Sequence, residues 1–332
     1  MFNGKSILVT GGTGSFGRHF VNRILKDYPK IQRLVIFSRD ELKQSEMQNI
    51  ILKKDLHKVR FFLGDVRDSK RLHRALHDID IVVHAAALKQ VPAAEYNPFE
   101  FIQTNIIGAQ NIIDACLSNK VTKVLALSTD KASGPINLYG ATKLCADKLF
   151  IAANNIVGKK NITFSIIRYG NVMASRGSII PIFMKNKNSG ILPITDARMT
   201  RFNISVEEGV DLAIWALKNT LGGEIVIPKI PSIKITDLAK AIAPNCRFKI
   251  IGSRPGEKLH EGMITQNESY NTVELKNYYL ILPERSIKFS NKYLKKMKGK
   301  YVKNEFSYNS NNNKDFLSIK EIKKLLKKAK IN

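Results

Sequence analysis

The run TGGTGSFG at residues 10–17 restricts the possible folds more than any other feature of the chain. It follows the apolar stretch SILVT (6–10) directly and leads into a helical pattern. Gly11, Gly14 and Gly17 are spaced G-x-x-G-x-x-G. Glycine permits a tight turn there and lets backbone N–H groups approach a pyrophosphate at the helix N-terminus. Glycine-rich turns are common, so the triplet alone would decide little. The strand before it and the helix after it supply the context that makes it a dinucleotide-binding turn.

The rest of the first half keeps that rhythm. Apolar runs of strand length recur as RLVIF (33–37), VRFFL (59–63), DIVVH (80–84), KVLAL (123–127) and ITFSIIR (162–168), with helical patterns notably at 97–119 and 137–155. Such alternation predicts an α/β fold, a Rossmann-type doubly wound parallel sheet whose strands are apolar because helices cover both faces. After Arg168 the elements shorten and Pro and Gly increase, which predicts a smaller C-terminal substrate-binding lobe. Residues 1–170, with a segment near 203–227, are assigned to the dinucleotide-binding domain, and 171–332 mainly to the substrate lobe with a basic tail. Ser205 with Glu208, and Ser318 with Glu321, predict capping boxes. Gly222 is placed at the C-terminal cap of the first of these helices. The Asn-rich stretch 309–313 reads as a loop.

The end of the second strand bears on the choice of cofactor. An acidic residue there would bond the ribose 2′-hydroxyl of NAD, whereas an Arg accommodates a 2′-phosphate. This chain presents Ser38 and Arg39, with Lys43 one helical turn on; Asp40 comes two places late. The expectation is NADP. Asp65 and Val66 after the third strand, and Ala87 after the fourth, are placed where a side chain can bond adenine and where small residues admit a flat cofactor.

The fifth strand ends in STDK (128–131), and eight residues later Tyr139 and Lys143 stand one helical turn apart on one face. A phenol with a pKa near 10 is a poor base unless a cation stabilises its phenolate, and Lys143 is placed for that. Y-x-x-x-K behind a Ser/Thr strand end, with the glycine turn upstream, resembles the short-chain dehydrogenase/reductase superfamily in its extended, nucleotide-sugar-modifying branch. Common retaining sugar 4,6-dehydratases carry Thr-Asp-Glu at the strand end, where this chain has Lys131. STDK together with SRDELKQSEM (38–47), HAAALKQVP (84–92), INLYGATK (136–143), RYGNVMASRGS (168–178), TDARMTRF (195–202) and RPGEKLHE (254–261) resembles the inverting UDP-N-acetylglucosamine 4,6-dehydratases, over about residues 5–285. These enzymes supply the first step of pseudaminic acid synthesis. Tyr139 stands where larger membrane-anchored relatives carry Met.

The resemblance implies a redox-neutral reaction with NADP as a bound catalyst. Tyr139 with Lys143 is implied as the base at sugar carbon 4, Lys131 as the base at carbon 5, Asp130 as the acid for the carbon-6 hydroxyl and Thr129 as the group orienting the sugar. Removing the carbon-5 proton requires Lys131 to have a lowered amine pKa, from burial or from neighbouring cations such as Lys143. The implied cofactor contacts are Gly11, Thr13, Gly14, Ser15, Phe16, Gly17, Ser38, Arg39, Lys43, Asp65, Val66, Ala87, Thr104, Tyr139, Lys143 and Val172. The implied substrate contacts are Lys89, Asn171, Arg176, Arg201, Arg254 and Glu257, Arg suiting a diphosphate because its planar fork bonds bidentately. Asn105 corresponds to the superfamily's helix asparagine. A UDP-N-acetylglucosamine epimerase would share the fold and the ketone intermediate, and a non-catalytic NADP-sensing or nucleic-acid-binding protein would share the fold.

The charge balance suggests that last class, and the intact set of Tyr139, Lys143, Asp130 and Lys131 argues against it. The net charge of +26 could attract nucleic acid or a membrane surface, but the cations are spread along the chain, which suits an anionic substrate better. The cluster Lys292–Lys303 and the tail from Lys314 are the exception. Three separated cysteines, no apolar run of membrane-spanning length and an N-terminus unlike a signal peptide predict a cytoplasmic protein without metal, nucleic-acid or membrane partner. A homo-oligomer acting on a UDP-sugar is the expected assembly.

Overall fold

The computed structural model describes residues 1–173, 179–283 and 291–329. Six parallel strands, β1 (Ser6–Thr10), β2 (Arg33–Ser38), β3 (Val59–Leu63), β4 (Ile81–His84), β5 (Lys123–Thr129) and β6 (Thr163–Tyr169), lie in the order 3-2-1-4-5-6. Strand Ile225–Pro228 continues the sheet in parallel beside β6. Tyr278–Ile281, Thr272–Glu274 and Lys300–Tyr301 then extend it antiparallel to ten strands. Ile7, Leu8, Val9, Leu34, Val35 and Ile36 are fully buried. Each contributes about 1.5–3 kcal/mol by leaving water, which is why these runs read as continuously apolar.

The helices beside the sheet start where the sequence offers caps. Asn137 caps the helix Leu138–Ala153 by accepting a hydrogen bond from the Gly140 N–H, and both predicted capping boxes form. The predicted helix 97–119 is interrupted: Pro98–Phe101 and Gly108–Ser118 are α-helical, but Ile102–Ile107 between them is π-helix. Gly222 is not the cap of the helix Val206–Asn219, which closes at Thr220. It lies in the turn beyond, at φ +107°, where a Cβ would come 2.5 Å from the Asn154 carboxamide oxygen. The Asn-rich stretch is a tied turn. Asn309 pairs with Gly262, and the Asn313 side chain donates to the Ile230 carbonyl at 2.9 Å.

A second apolar cluster, including Phe183, Leu192, Ile194, Leu238, Ile322 and Leu326, forms the smaller lobe. The final helix Ile319–Lys328 packs its apolar stripe on the helix Ile235–Ile242.

Candidate active site

A cleft of about 1140 Å³ runs along the carboxyl ends of the parallel strands, where open α/β sheets carry their ligands. Its floor at one end is the glycine turn. Gly11 adopts φ +63°, and a Cβ on it would lie 2.9 Å from the Ala85 carbonyl oxygen. A Cβ on Gly17 would lie 2.5 Å from the Gly12 backbone. The turn thus passes close to β4 and packs tightly on itself, opening helix α1 (Ser15–Asp27) at the cleft. This cradle fits a dinucleotide pyrophosphate, with Thr13, Ser15 and Phe16 completing the lining.

The groups at the end of β2 have defined partners. Asp40 caps helix α2 (Glu41–Ile50), accepting from the Lys43 backbone N–H at 3.0 Å, and also pairs with the Lys43 ammonium. Ser38 Oγ accepts from the buried Gln44 side chain at 3.0 Å. Arg39 is exposed and meets Asp65 at 3.5 Å, at the upper limit of a hydrogen bond. Lys43, Asp65, Val66, Ala87, Thr104 and Val172 line the same cleft. The π-turn presents Thr104 with its hydroxyl buried and unpartnered. Asn105 bonds both the N–H and the carbonyl of Leu88 at 2.9 Å and donates to Thr142 at 3.0 Å, clamping the loop after β4 to the helix that carries Tyr139.

At the end of β5 the chain turns into the short 3₁₀ segment Asp130–Ala132. Asp130 is 1% exposed; its Oδ1 accepts from Thr129 Oγ1 at 2.8 Å and from Lys131 Nζ at 3.1 Å, while Oδ2 is buried without a partner among the described residues. Lys131 Nζ also donates to Asn171 Oδ1 at 3.3 Å and pairs with Glu261 at 3.3 Å. Tyr139, 8% exposed, and Lys143, 4% exposed, line the cleft. Lys143 donates to the Leu127 carbonyl at 2.8 Å.

The electrostatics follow from burial. Burial pushes the Tyr139 phenol up to about 12, opposed mainly by the Lys131 charge and the neighbouring Thr129 hydroxyl. Burial lowers Lys143, with Asp147 acting against it. Asp147 in turn accepts from Ser128 at 2.7 Å and faces the fully buried Arg168 at 3.5 Å. Burial raises Asp130 against the pull of Lys131. The lowered pKa expected of Lys131 is not found: burial does act to lower it, but Asp130 and Glu261 outweigh that and raise it. Two carboxylates hold the amine as an ammonium.

Of the remaining sequence-predicted groups, Arg201 is buried and pairs with Glu257 at 3.4 Å and Glu261 at 3.8 Å. Lys89 and Arg254 are exposed at the cleft, and Asn171 lines it beside Lys131. Arg176 lies outside the described residues. Sequence reasoning did not single out Glu261, although it ends the motif RPGEKLHE. Nor did it identify Lys258, whose ammonium donates to the Ser133 carbonyl at 2.7 Å.

A family model described as polysaccharide biosynthesis protein matches residues 7–283. The chain belongs to that family. Across 97% of both chains it is 56% identical to the UDP-N-acetylglucosamine 4,6-dehydratase (inverting) of Campylobacter jejuni subsp. jejuni serotype O:23/36 (strain 81-176). It is also 42% identical to a protein of Rickettsia conorii named UDP-glucose 4-epimerase, covering 98% of this chain and 96% of that one. Among solved structures, Pen from Bacillus thuringiensis matches with a TM-score of 0.90 and 35% identity over 100% of both chains. The resemblance carried by STDK and its companion motifs therefore extends over nearly the whole sequence. No helix among the described residues is long and apolar enough to cross a membrane.

Proposed function

We propose that this protein is a UDP-N-acetylglucosamine 4,6-dehydratase that inverts carbon 5, a hydro-lyase working with bound NADP. The observation that carries the reading is Lys131, which lines the cleft beside Tyr139 and pairs with the buried Asp130. The pair supplies an acid and a base beyond what oxidation at carbon 4 needs, in a chain 56% identical to an enzyme of that name. When bound, the nicotinamide would supply the hydride acceptor and donor that make the reaction redox-neutral. The chain's own groups handle protons. Tyr139 takes the proton of the carbon-4 hydroxyl, helped by the Lys131 charge and the Thr129 hydroxyl. Lys143 lies one turn away against the cofactor side. Lys131 removes the carbon-5 proton once its ammonium has released its own proton to water in the cleft, which its partly exposed side chain reaches. Asp130, whose burial favours the protonated form, protonates the departing carbon-6 hydroxyl. The product is a UDP-2-acetamido-2,6-dideoxy-hexos-4-ulose, consistent with entry into pseudaminic acid synthesis.

NADP is favoured because no carboxylate is free at the end of β2: Asp40 is committed to capping α2, and Arg39 is exposed with one long contact. Gly11, Gly14 and Gly17 with Thr13, Ser15 and Phe16 would hold the pyrophosphate. Arg201, Arg254 and Lys89 suit the diphosphate of the sugar nucleotide, and Asn171 and Glu257 its polar groups. On this reading residues 1–170 and the 203–227 segment serve the cofactor, and most of 171–332 serves the substrate. A homo-oligomer in the cytoplasm is the assembly this reading expects, and Tyr96, Phe99, Ile107 and Ile136 are exposed apolar side chains that an interface would cover.

The rickettsial relatives make a 4-epimerase the second reading. Purified protein incubated with UDP-N-acetylglucosamine, without added oxidant or reductant, should turn over many times and yield a product lighter by one water. A product of unchanged mass would support the epimerase.

A further inference from the structure

The deprotonation site contains one more carboxylate than the proposed chemistry uses. Lys131 Nζ lies 3.1 Å from Asp130 Oδ1 and 3.3 Å from Glu261 Oε1, so one ammonium is shared by two carboxylates from distant parts of the chain. Asp130 follows β5, whereas Glu261 immediately precedes strand Gly262–Ile264. They are 1% and 2% exposed, and each keeps its second oxygen buried without a hydrogen-bond partner among the described residues. Glu261 is anchored through its backbone: its N–H donates to Ser310 Oγ at 3.0 Å, and its carbonyl accepts from the Ser310 N–H at 2.8 Å. The other titratable or charged groups facing this cluster are Tyr139, Arg201, Lys89 and Lys258.

One ammonium cannot neutralise two carboxylates withdrawn from water, so the pair is driven to keep one proton between them. Glu261 has Arg201 at 3.8 Å as a second cation, and Asp130 has none so placed among the described residues. Burial acts to raise Glu261, but Lys131, Arg201 and Lys258 hold it below its ordinary value, whereas burial leaves Asp130 raised. We propose that Glu261 is the counterion of Lys131 and that, by taking this part, it leaves Asp130 carrying the proton needed at the carbon-6 hydroxyl. Glu261 is thus a positioning residue, acting through Lys131 and Asp130. The inference rests on the dehydratase reading.

The test is Glu261→Gln, with Glu261→Asp as the variant that keeps the charge. Without the Glu261 charge, Asp130 becomes the sole counterion and gives up its proton. Loss of water from UDP-N-acetylglucosamine at neutral pH should then fall by about 10²–10⁴-fold, the share of a general acid. Carbon-5 exchange with deuterated solvent should persist, and water loss should recover as the pH is lowered. Glu261→Asp should restore most of the elimination. Exchange and elimination falling by one factor at every pH, or neither changing, would overturn the proposal. Should Glu261→Gln not fold, carboxyl-carbon NMR of the wild-type protein, assigned with Asp130→Asn, decides the matter. Asp130 must titrate clearly above an ordinary aspartate, and ordinary titration overturns the proposal. Wild-type protein that releases no water would instead count against the dehydratase reading and leave the titration result standing.

Discussion

Replacing Lys131 by alanine separates stability from chemistry in one variant. The substitution takes the Lys131 charge from Glu261, 2% exposed, and leaves it with Arg201 at 3.8 Å as its nearest ion-pair partner. Breaking a buried ion pair from one side costs about 3–5 kcal/mol. The lower end, about 3 kcal/mol, applies here, because the Lys131 side chain keeps 22% exposure and the cleft admits water. For 332 residues the unfolding entropy is roughly 0.7 kcal/mol/K, so the Tm should fall by about 4 °C near neutral pH.

The pH dependence has a definite sign. Lys131 pulls both carboxyls down in the wild type, so removing it raises their folded-state values. A carboxyl raised above its unfolded value of about 4 contributes stability below that pH and loses it as pH rises through the folded value. The Tm gap between wild type and variant should therefore widen from pH 5 to pH 8. In the assay with UDP-N-acetylglucosamine, Lys131→Ala should still reduce NADP⁺, more slowly because Tyr139 loses the charge that favours its phenolate, then stall with NADPH absorbance and show no carbon-5 exchange. A Tm gap independent of pH would refute the shared-ammonium geometry, and exchange at the wild-type rate would remove Lys131 as the base.

Arg39→Asp should weaken NADP binding by about 10–100-fold, the worth of a charge-assisted hydrogen bond, and leave NAD binding nearly unchanged by calorimetry. Tyr139→Phe should block the first hydride transfer, so that stopped-flow absorbance shows no NADPH and turnover drops by about 10²–10⁴-fold. Gly17→Ala would bring a Cβ to 2.5 Å from the Gly12 backbone; it should cost about 1–3 kcal/mol in thermal melts and loosen cofactor binding in the same titration.

The local features were the legible ones. β1 to β6 fall within one or two residues of the apolar runs, because the central strands, buried on both faces, leave an unbroken signal in the sequence, and β3, only partly buried at the sheet edge, keeps a short apolar run. The capping boxes were equally readable, since their partners are three residues apart. What escaped depends on distance or on a small change of helical pitch. The π-turn at Ile102–Ile107 has no separate hydrophobic period, yet it sets the direction of Thr104 and Asn105. Gly222 looked like a cap by spacing, but Thr220 closes the helix, and the glycine is needed two residues later, where Asn154 approaches. Lys131 illustrates the larger gap. The base role implied for it required a depressed amine, but Asp130 and Glu261, the latter 130 positions away, reverse the sign.

The central claim is a hydride that leaves carbon 4 and returns to carbon 6 of the same sugar while one water departs. UDP-N-acetylglucosamine carrying deuterium at carbon 4 tests it most directly, with the product analysed by mass and NMR. The account predicts a 4-keto product lighter by one water, with the deuterium at carbon 6 and carbon 5 inverted. A product of unchanged mass with the deuterium still at carbon 4, or label lost to an external oxidant, would contradict it.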